Sequence, residues 1–173
     1  MPRTPLILKI INYLLILAAV GLFVWLLNVN FPRSRQLDIK AEFNKDLPML
    51  SHLGPEGRVI LSPDTAVIVD SPAYFDLRVL PWFLQARVKI TYQALGRQLE
   101  GIGPQAGSGW SFSVSKPLSV SEEPNGDKTE IYDFDLARAY DVKNVIRFIV
   151  SSKATGESGG EIIVRSLLIT LKR

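Results

Sequence analysis

Residues 10–31 read IINYLLILAAVGLFVWLLNVNF, a run with no charged side chain and three asparagines. At about 1.5 Å per residue a helix of this length spans about 33 Å, enough to cross a bilayer core about 30 Å thick. The run therefore predicts a transmembrane helix from Ile10 to Phe31, preceded by a short tail over residues 1–9, with membrane lipid as its partner. Tyr13 near one end, and Trp25 with Phe31 near the other, suit the interfacial aromatic belts, and Pro32 is expected to end the helix.

A cleaved signal peptide is the first rival reading, but its apolar core is about 7 to 15 residues long and is followed by small residues at the cut. Here the core is longer, and LLNVNFPR offers no small-x-small site. A type IV pilin, with its hydrophobic helix before a β-rich head, is the second. It lacks support because no short basic leader ending in glycine precedes the run, and no acidic residue stands near its start. A permanent anchor is expected. Arg3 and Lys9 lie on one side of it and Arg33, Arg35, Lys40 and Lys45 on the other, so the positive-inside count does not favour a cytoplasmic tail. The expected orientation, tail inside and following domain extracytoplasmic, rests on the usual arrangement of signal anchors.

The remaining residues, 32–173, have room for one domain of ordinary size with its own core. There is no cysteine, which excludes a disulfide framework, a thiolate zinc site and a cysteine nucleophile together. Two of the 20 basic residues, Arg3 and Lys9, precede the apolar run, which leaves 18 basic against 17 acidic beyond it. That balance argues against a nucleic-acid surface, which needs a strongly basic face.

Beyond Pro32 the periodicity changes to alternation by twos, the mark of strands with one buried face. In QLDIKAEF, Leu37, Ile39, Ala41 and Phe43 share one side. Short runs follow at regular spacing: RVILS, TAVIVD, YFDLRV, ARVKITYQ, RQLEGIG, GWSFSVS, TEIYDFDL, VIRFIVSS and EIIVRSLLITL. Almost nothing reads as an amphipathic helix, so the fold class is all-β, an antiparallel β-sandwich. In ARVKITYQ, Val88, Ile90 and Tyr92 face one way and Arg87, Lys89 and Thr91 the other. Pro81 cannot donate to a ladder, so residues 80–85 are read as a connection. SEEPNGDKT, with its Asn125-Gly126 turn signal, and SSKATGESGGE are read as hairpin loops.

The order of features in SPAYFDLRVLPWFLQARVKITYQ, and again in IYDFDLARAYDVKNVIRFIVSS and EIIVRSLLITL, resembles jelly-roll sandwiches of the galactose-binding-like type. The likeness covers about Val59 to Leu171 and is one of pattern. An immunoglobulin-like sandwich is the alternative, because Leu136 and Tyr140 before VIRFIV resemble a tyrosine corner, although its spacing is not matched. The jelly-roll resemblance implies carbohydrate or another cell-envelope polymer as ligand. Carbohydrate-binding sandwiches stack exposed Trp and Tyr on sugar rings while Asp, Asn and Arg bond the hydroxyls. The candidate ligand-binding residues are then Trp82, Tyr74, Tyr132 and Tyr140. Trp110 alternates with Phe112 and Val114 and is expected in the core, as is Tyr92 beside Val88 and Ile90. Trp82 lies in the connection with Phe83 and Leu84, which fits either a ligand contact or a plug over one end of the sandwich.

Asp133 and Asp135 share one side of a strand, and with Glu130 or Asp141 would begin a calcium site; a solvated strand face explains them equally, and no calcium loop is present. No metal or cofactor is expected. His52 adjoins Ser51 in a proline-punctuated loop, but neighbours in sequence do not make a nucleophile and base without a third group to orient them. No GxSxG, HExxH or phosphate-cradling loop appears. The expected function is a noncatalytic, membrane-anchored binding module, with an envelope glycan or a protein as partner. The alternative is an accessory subunit of a membrane complex, its helix packing through Ala18 and Gly21.

Overall fold

The computed structural model describes residues 6–30, 35–156 and 159–173. The expectations placed on Phe31 and Pro32 lie outside these. The chain divides into two units, Met1–Ser34 and Arg35–Arg173.

The first unit holds one helix, α1, Leu6–Asn30. It begins before Ile10 because Leu6, Ile7 and Leu8 extend the apolar run across Lys9. Its Leu8–Leu26 stretch has a mean hydropathy of 2.1 and is long and apolar enough to cross a membrane.

The second unit is an antiparallel β-sandwich with eleven strands among the described residues. They are β1 (Gln36–Lys40), β2 (Val59–Leu61), β3 (Ala66–Ile68), β4 (Ala73–Arg78), β5 (Gln85–Leu95), β6 (Arg97–Pro104), β7 (Ser119–Glu122), β8 (Lys128–Asp135), β9 (Asp141–Val142), β10 (Val145–Ala154) and β11 (Glu161–Lys172). One sheet runs β2-β3-β11-β5-β8-β7, with β1 also beside β11; the other runs β4-β10-β6, with β9 beside β10. The chain changes sheets at each step from β3 to β7, again from β8 to β9, and from β10 to β11. This interleaving is that of a jelly roll and differs from the immunoglobulin order, so the jelly-roll expectation is the one the fold meets.

Alternation places the core. Val88, Ile90 and Tyr92 of β5 and Ile162, Val164, Leu167 and Ile169 of β11 are buried against Phe75 and Leu77 of β4 and Phe148 and Val150 of β10. Phe75 and Phe148 stack in parallel with centroids 5.3 Å apart, and Phe134 of the opposite sheet meets Phe148 edge-on, also at 5.3 Å. Edge-to-face contact between aromatic rings adds to area burial, so this trio ties the sheets together. Asn125-Gly126 does form the β7–β8 turn, with the Gly126 N–H donating to Glu123 O at 2.9 Å. GWSFSVS is not a full strand: it pairs with the β6 end at isolated points, Phe112 with Gln105 and Ser115 with Ile102. Trp110 and Val114 on it are exposed, so little buried apolar area holds a longer ladder in place.

Candidate functional site

The outer face of the four-stranded sheet brings aromatic and hydrogen-bonding groups together. On β4, Ala73, Phe75 and Leu77 point into the core, so Tyr74 and Asp76 point out. Register sets Asp76 opposite Arg147 and Tyr74 opposite Ile149 of β10. Arg147 donates from Nε and Nη2 to the two Asp76 carboxylate oxygens, at 2.7 and 2.9 Å. Its guanidinium also lies 4.6 Å from the Tyr74 ring centre. A planar fork held at both ends, by a carboxylate and a ring face, keeps the tyrosine in one orientation.

Trp110 completes the face. Its ring centroid is 6.3 Å from that of Tyr74, tilted by 60°, and 5.9 Å from that of Phe112. The indole is 69% exposed. Leaving a side chain of this size in water forgoes about 2 kcal/mol of burial, and the loop that presents it is hydrogen-bonded internally. Gln105 Nε2 donates to the carbonyls of Gly107 and Gly109, at 2.9 and 2.6 Å. Ala106 N–H closes the loop onto Ser111 O at 2.8 Å. Gly109 has φ +88, in the left-handed region, which favours glycine directly before the tryptophan. Further along, Gly103 lacks the Cβ that would overlap the Ser113 carbonyl, so the segment after Trp110 lies close on β6.

The sequence candidates divide accordingly. Tyr74 belongs to this face. Tyr140 is 38% exposed, and its N–H donates to Gln105 O at 2.7 Å, so its backbone lies beside the residue that holds the Trp110 loop, while its ring pairs with neither Tyr74 nor Trp110 among the described residues. Trp82 stands beyond the end of β4. It is 36% exposed, and the Arg173 guanidinium lies 5.6 Å from its ring centre. Phe83, buried to 2% exposure, is the plug at that end.

Two readings are corrected. Tyr132 presents no ring to solvent: it is 1% exposed, and its hydroxyl donates to Glu130, as does that of Tyr92 at 2.7 Å. It faces inward because it alternates with Asp133 on β8, and buried Phe134 shares its side. Trp110 is not core, because the strand that its alternation implied is a loop. Gly107-Ser108-Gly109, directly before it, was the signal of a loop rather than a strand. Arg147, Asp76 and Gln105 carried no signal of their own, since their partners lie in other strands.

Burial and hydrogen bonding by Glu130 raise both the Tyr92 and Tyr132 hydroxyls well above the ordinary tyrosine range, burial being the larger cause. Asp133 is held by Arg87 through two bonds of 2.7 Å. Asp135 accepts from Ala137 N–H at 3.0 Å and caps the 3-10 turn Leu136–Arg138. These two carboxylates thus have structural partners, and among the described residues no group of three or more potential metal ligands forms. Ser51 donates to the His52 carbonyl at 3.0 Å rather than to its ring, and accepts from Asp76 N–H at 2.8 Å. His52 Nδ1 lies 2.7 Å from Asp46. A cleft of about 640 Å³ opens along the side of the sandwich, lined by Tyr92, Arg97, Glu100, Lys116, Lys128 and Glu130 among others.

No protein-family model matches this sequence, and no curated protein matches it. Among solved structures it is similar to a xylan-binding module, CBM15, at 19% identity and a TM-score of 0.48, over 79% of this chain and 97% of that one. It is also similar to Xylanase10C from Cellvibrio japonicus in complex with xylopentaose, at 18% identity and a TM-score of 0.43, over 77% of this chain and 28% of the xylanase. A third likeness is to the N-terminal cellulose-binding domain of beta-1,4-glucanase C from Cellulomonas fimi, at 10% identity and a TM-score of 0.39, over 82% and 94% of the two chains.

Proposed function

We propose that this chain is a membrane-anchored, noncatalytic binding module that presents its β-sandwich outside the cell and takes a carbohydrate or another cell-envelope polymer on the outer face of the four-stranded sheet. The observation that carries the reading is the exposed Trp110 ring beside Tyr74, with the Arg147–Asp76 pair adjacent. The exposed Trp110 ring offers an apolar face to sugar C–H groups, while the guanidinium that lies over Tyr74 and its carboxylate partner offer donors and acceptors to hydroxyls. The apolar surface all round α1 supports burial in lipid, since a helix with no polar face finds no better surroundings in water.

The test is affinity electrophoresis of the residue 35–173 fragment through gels containing xylan, soluble cellulose derivatives or peptidoglycan fragments. Retardation by at least one polymer is expected, with Trp110→Ala weakening it about tenfold or more. No retardation in any gel overturns the reading.

The alternative, an accessory subunit of a membrane complex, is favoured by one observation. Leu118 and Val120 are 69% and 57% exposed, the latter on β7 at an open edge of its sheet. Exposed apolar edges attract further strands. Co-purification of a partner that Val120→Lys releases would support this reading.

A further inference from the structure

We infer that the end of the sandwich bearing Trp82 is a docking surface for an anionic bilayer, an inference that rests on the reading of α1 as an anchor. The chain enters the sandwich at Arg35, whose carbonyl accepts from Arg173 N–H at 3.1 Å. Gln36 then pairs with Lys172. Leu84 N–H donates to Lys172 O at 2.9 Å, and Val79 N–H donates to Asn144 O at 2.8 Å, which brings the 79–84 loop and the β9–β10 turn to the same end.

What this end displays is apolar and cationic together. Trp82, Leu84 and Val142 are 36%, 51% and 53% exposed. Arg35, Lys143 and Arg173 are exposed beside them, and none of the three has an ion-pair partner among the described residues. The nearby acids are engaged or few: Asp133 with Arg87, Asp135 with Arg138 at 3.5 Å, and Asp141 exposed in β9. A tryptophan with aliphatic neighbours suits the headgroup boundary, and lysine and arginine without carboxylate partners suit anionic lipid, Arg173 lying against the Trp82 ring itself. Four residues separate Asn30 from Arg35, a link whose contour is at most about 18 Å. A bilayer holding α1 is therefore within reach of this end, and the tether raises its effective concentration there.

The experiment uses the full chain with Trp25→Phe and Trp110→Phe, so that Trp82 is the sole tryptophan, reconstituted in vesicles of phosphatidylcholine with or without phosphatidylglycerol. Lipids brominated close to the headgroup should quench Trp82 in the anionic vesicles. Arg173→Glu with Lys143→Glu should reduce that quenching severalfold, and added salt should do the same. Absence of quenching, or quenching indifferent to both charge reversal and salt, overturns the inference. So does a Trp82 shielded from bromolipid and aqueous acrylamide alike, which means a protein covers it. Alkaline extraction of the same preparation separates the two failures: release of the chain sinks the anchor reading, whereas a retained chain with unquenched Trp82 sinks this inference alone.

Discussion

The guanidinium of Arg147 lies 4.6 Å from the centre of the Tyr74 ring while it grips Asp76 through two nitrogens. A lysine at this position keeps the charge but loses the fork and the flat stacking surface. Arg147→Lys is expected to cost less than about 1 kcal/mol of stability, because the pair is partly exposed. Polymer retention should nonetheless fall about tenfold, since Tyr74 loses what orients it. Thermal unfolding and affinity electrophoresis on the same variant separate the two effects. A large fall in melting temperature, or unchanged retention, would contradict the assigned role.

Glu130 accepts from both Tyr92 and Tyr132 in the core, and the hydroxyls of both tyrosines are held protonated to higher pH than usual. In the unfolded chain they ionise near the ordinary value of about 10. Their folded values are raised, so the stability they contribute is complete below about pH 10 and is lost as pH rises from there toward the folded values. Each tyrosine then removes about 1.4 kcal/mol per pH unit, about 2.7 for the pair. Urea unfolding should show little loss from these tyrosines near pH 9 and approach this slope, on top of that from other groups, as pH rises above about 10.5. Tyr92→Phe should remove about half of it, and an unaltered slope would refute the account.

Asp133 has its carboxyl held below the usual aspartate range, chiefly by the hydrogen bonds from Arg87 and then by the charges of Arg87 and Lys172. A lowered folded value means that the contribution is present above about pH 3.9 and disappears as pH falls through the folded value. Both side chains are more than two-fifths exposed, so salt screens the gain and it is small. Carbon-detected NMR titration should follow Asp133 upward toward 3.9 in Arg87→Gln. Titration at the same pH in both proteins would show that the pair does not form in solution.

Sequence alone made the apolar helix legible because most of α1 is defined by what it lacks, and the charge-free run from Ile10 onward needs no distant partner to be recognised. Strands were legible for a related reason: Val88, Ile90 and Tyr92 alternate with polar neighbours, and burial follows that period. The site was less accessible, since its geometry depends on register. Arg147 meets Asp76 across 71 residues, a separation that no local pattern encodes. Trp110 misled because its alternation with Phe112 and Val114 is a strand's alternation, while the backbone there is governed by Gly103 and by the bonds from Gln105. Tyr132 misled in the opposite sense. Tyrosine is common at both surfaces and cores, and its partner in the core, Glu130, is a residue that reads as exposed.

Gly103 provides the sharpest test of how the Trp110 face is supported. A Cβ at this position would overlap the carbonyl of Ser113 and crowd the Val114 backbone, neither of which is the free end of a flexible side chain. Gly103→Ala must therefore push the 111–115 segment away from β6, breaking the bond from Ser113 N–H to Pro104 O, now 3.0 Å. Overpacking of this kind costs about 1 to 3 kcal/mol. The displaced segment carries Phe112, which packs on Trp110, so the indole should lose its fixed orientation. Expected results are a lower unfolding midpoint, weaker polymer retention and reduced tryptophan anisotropy in a Trp82→Phe version of the residue 35–173 fragment. Gly107→Ala, at a position where an added Cβ meets nothing within 4 Å, serves as the control and should leave all three readouts near those of the parent. If Gly103→Ala behaves like that control, the close approach of the two segments is not what positions Trp110.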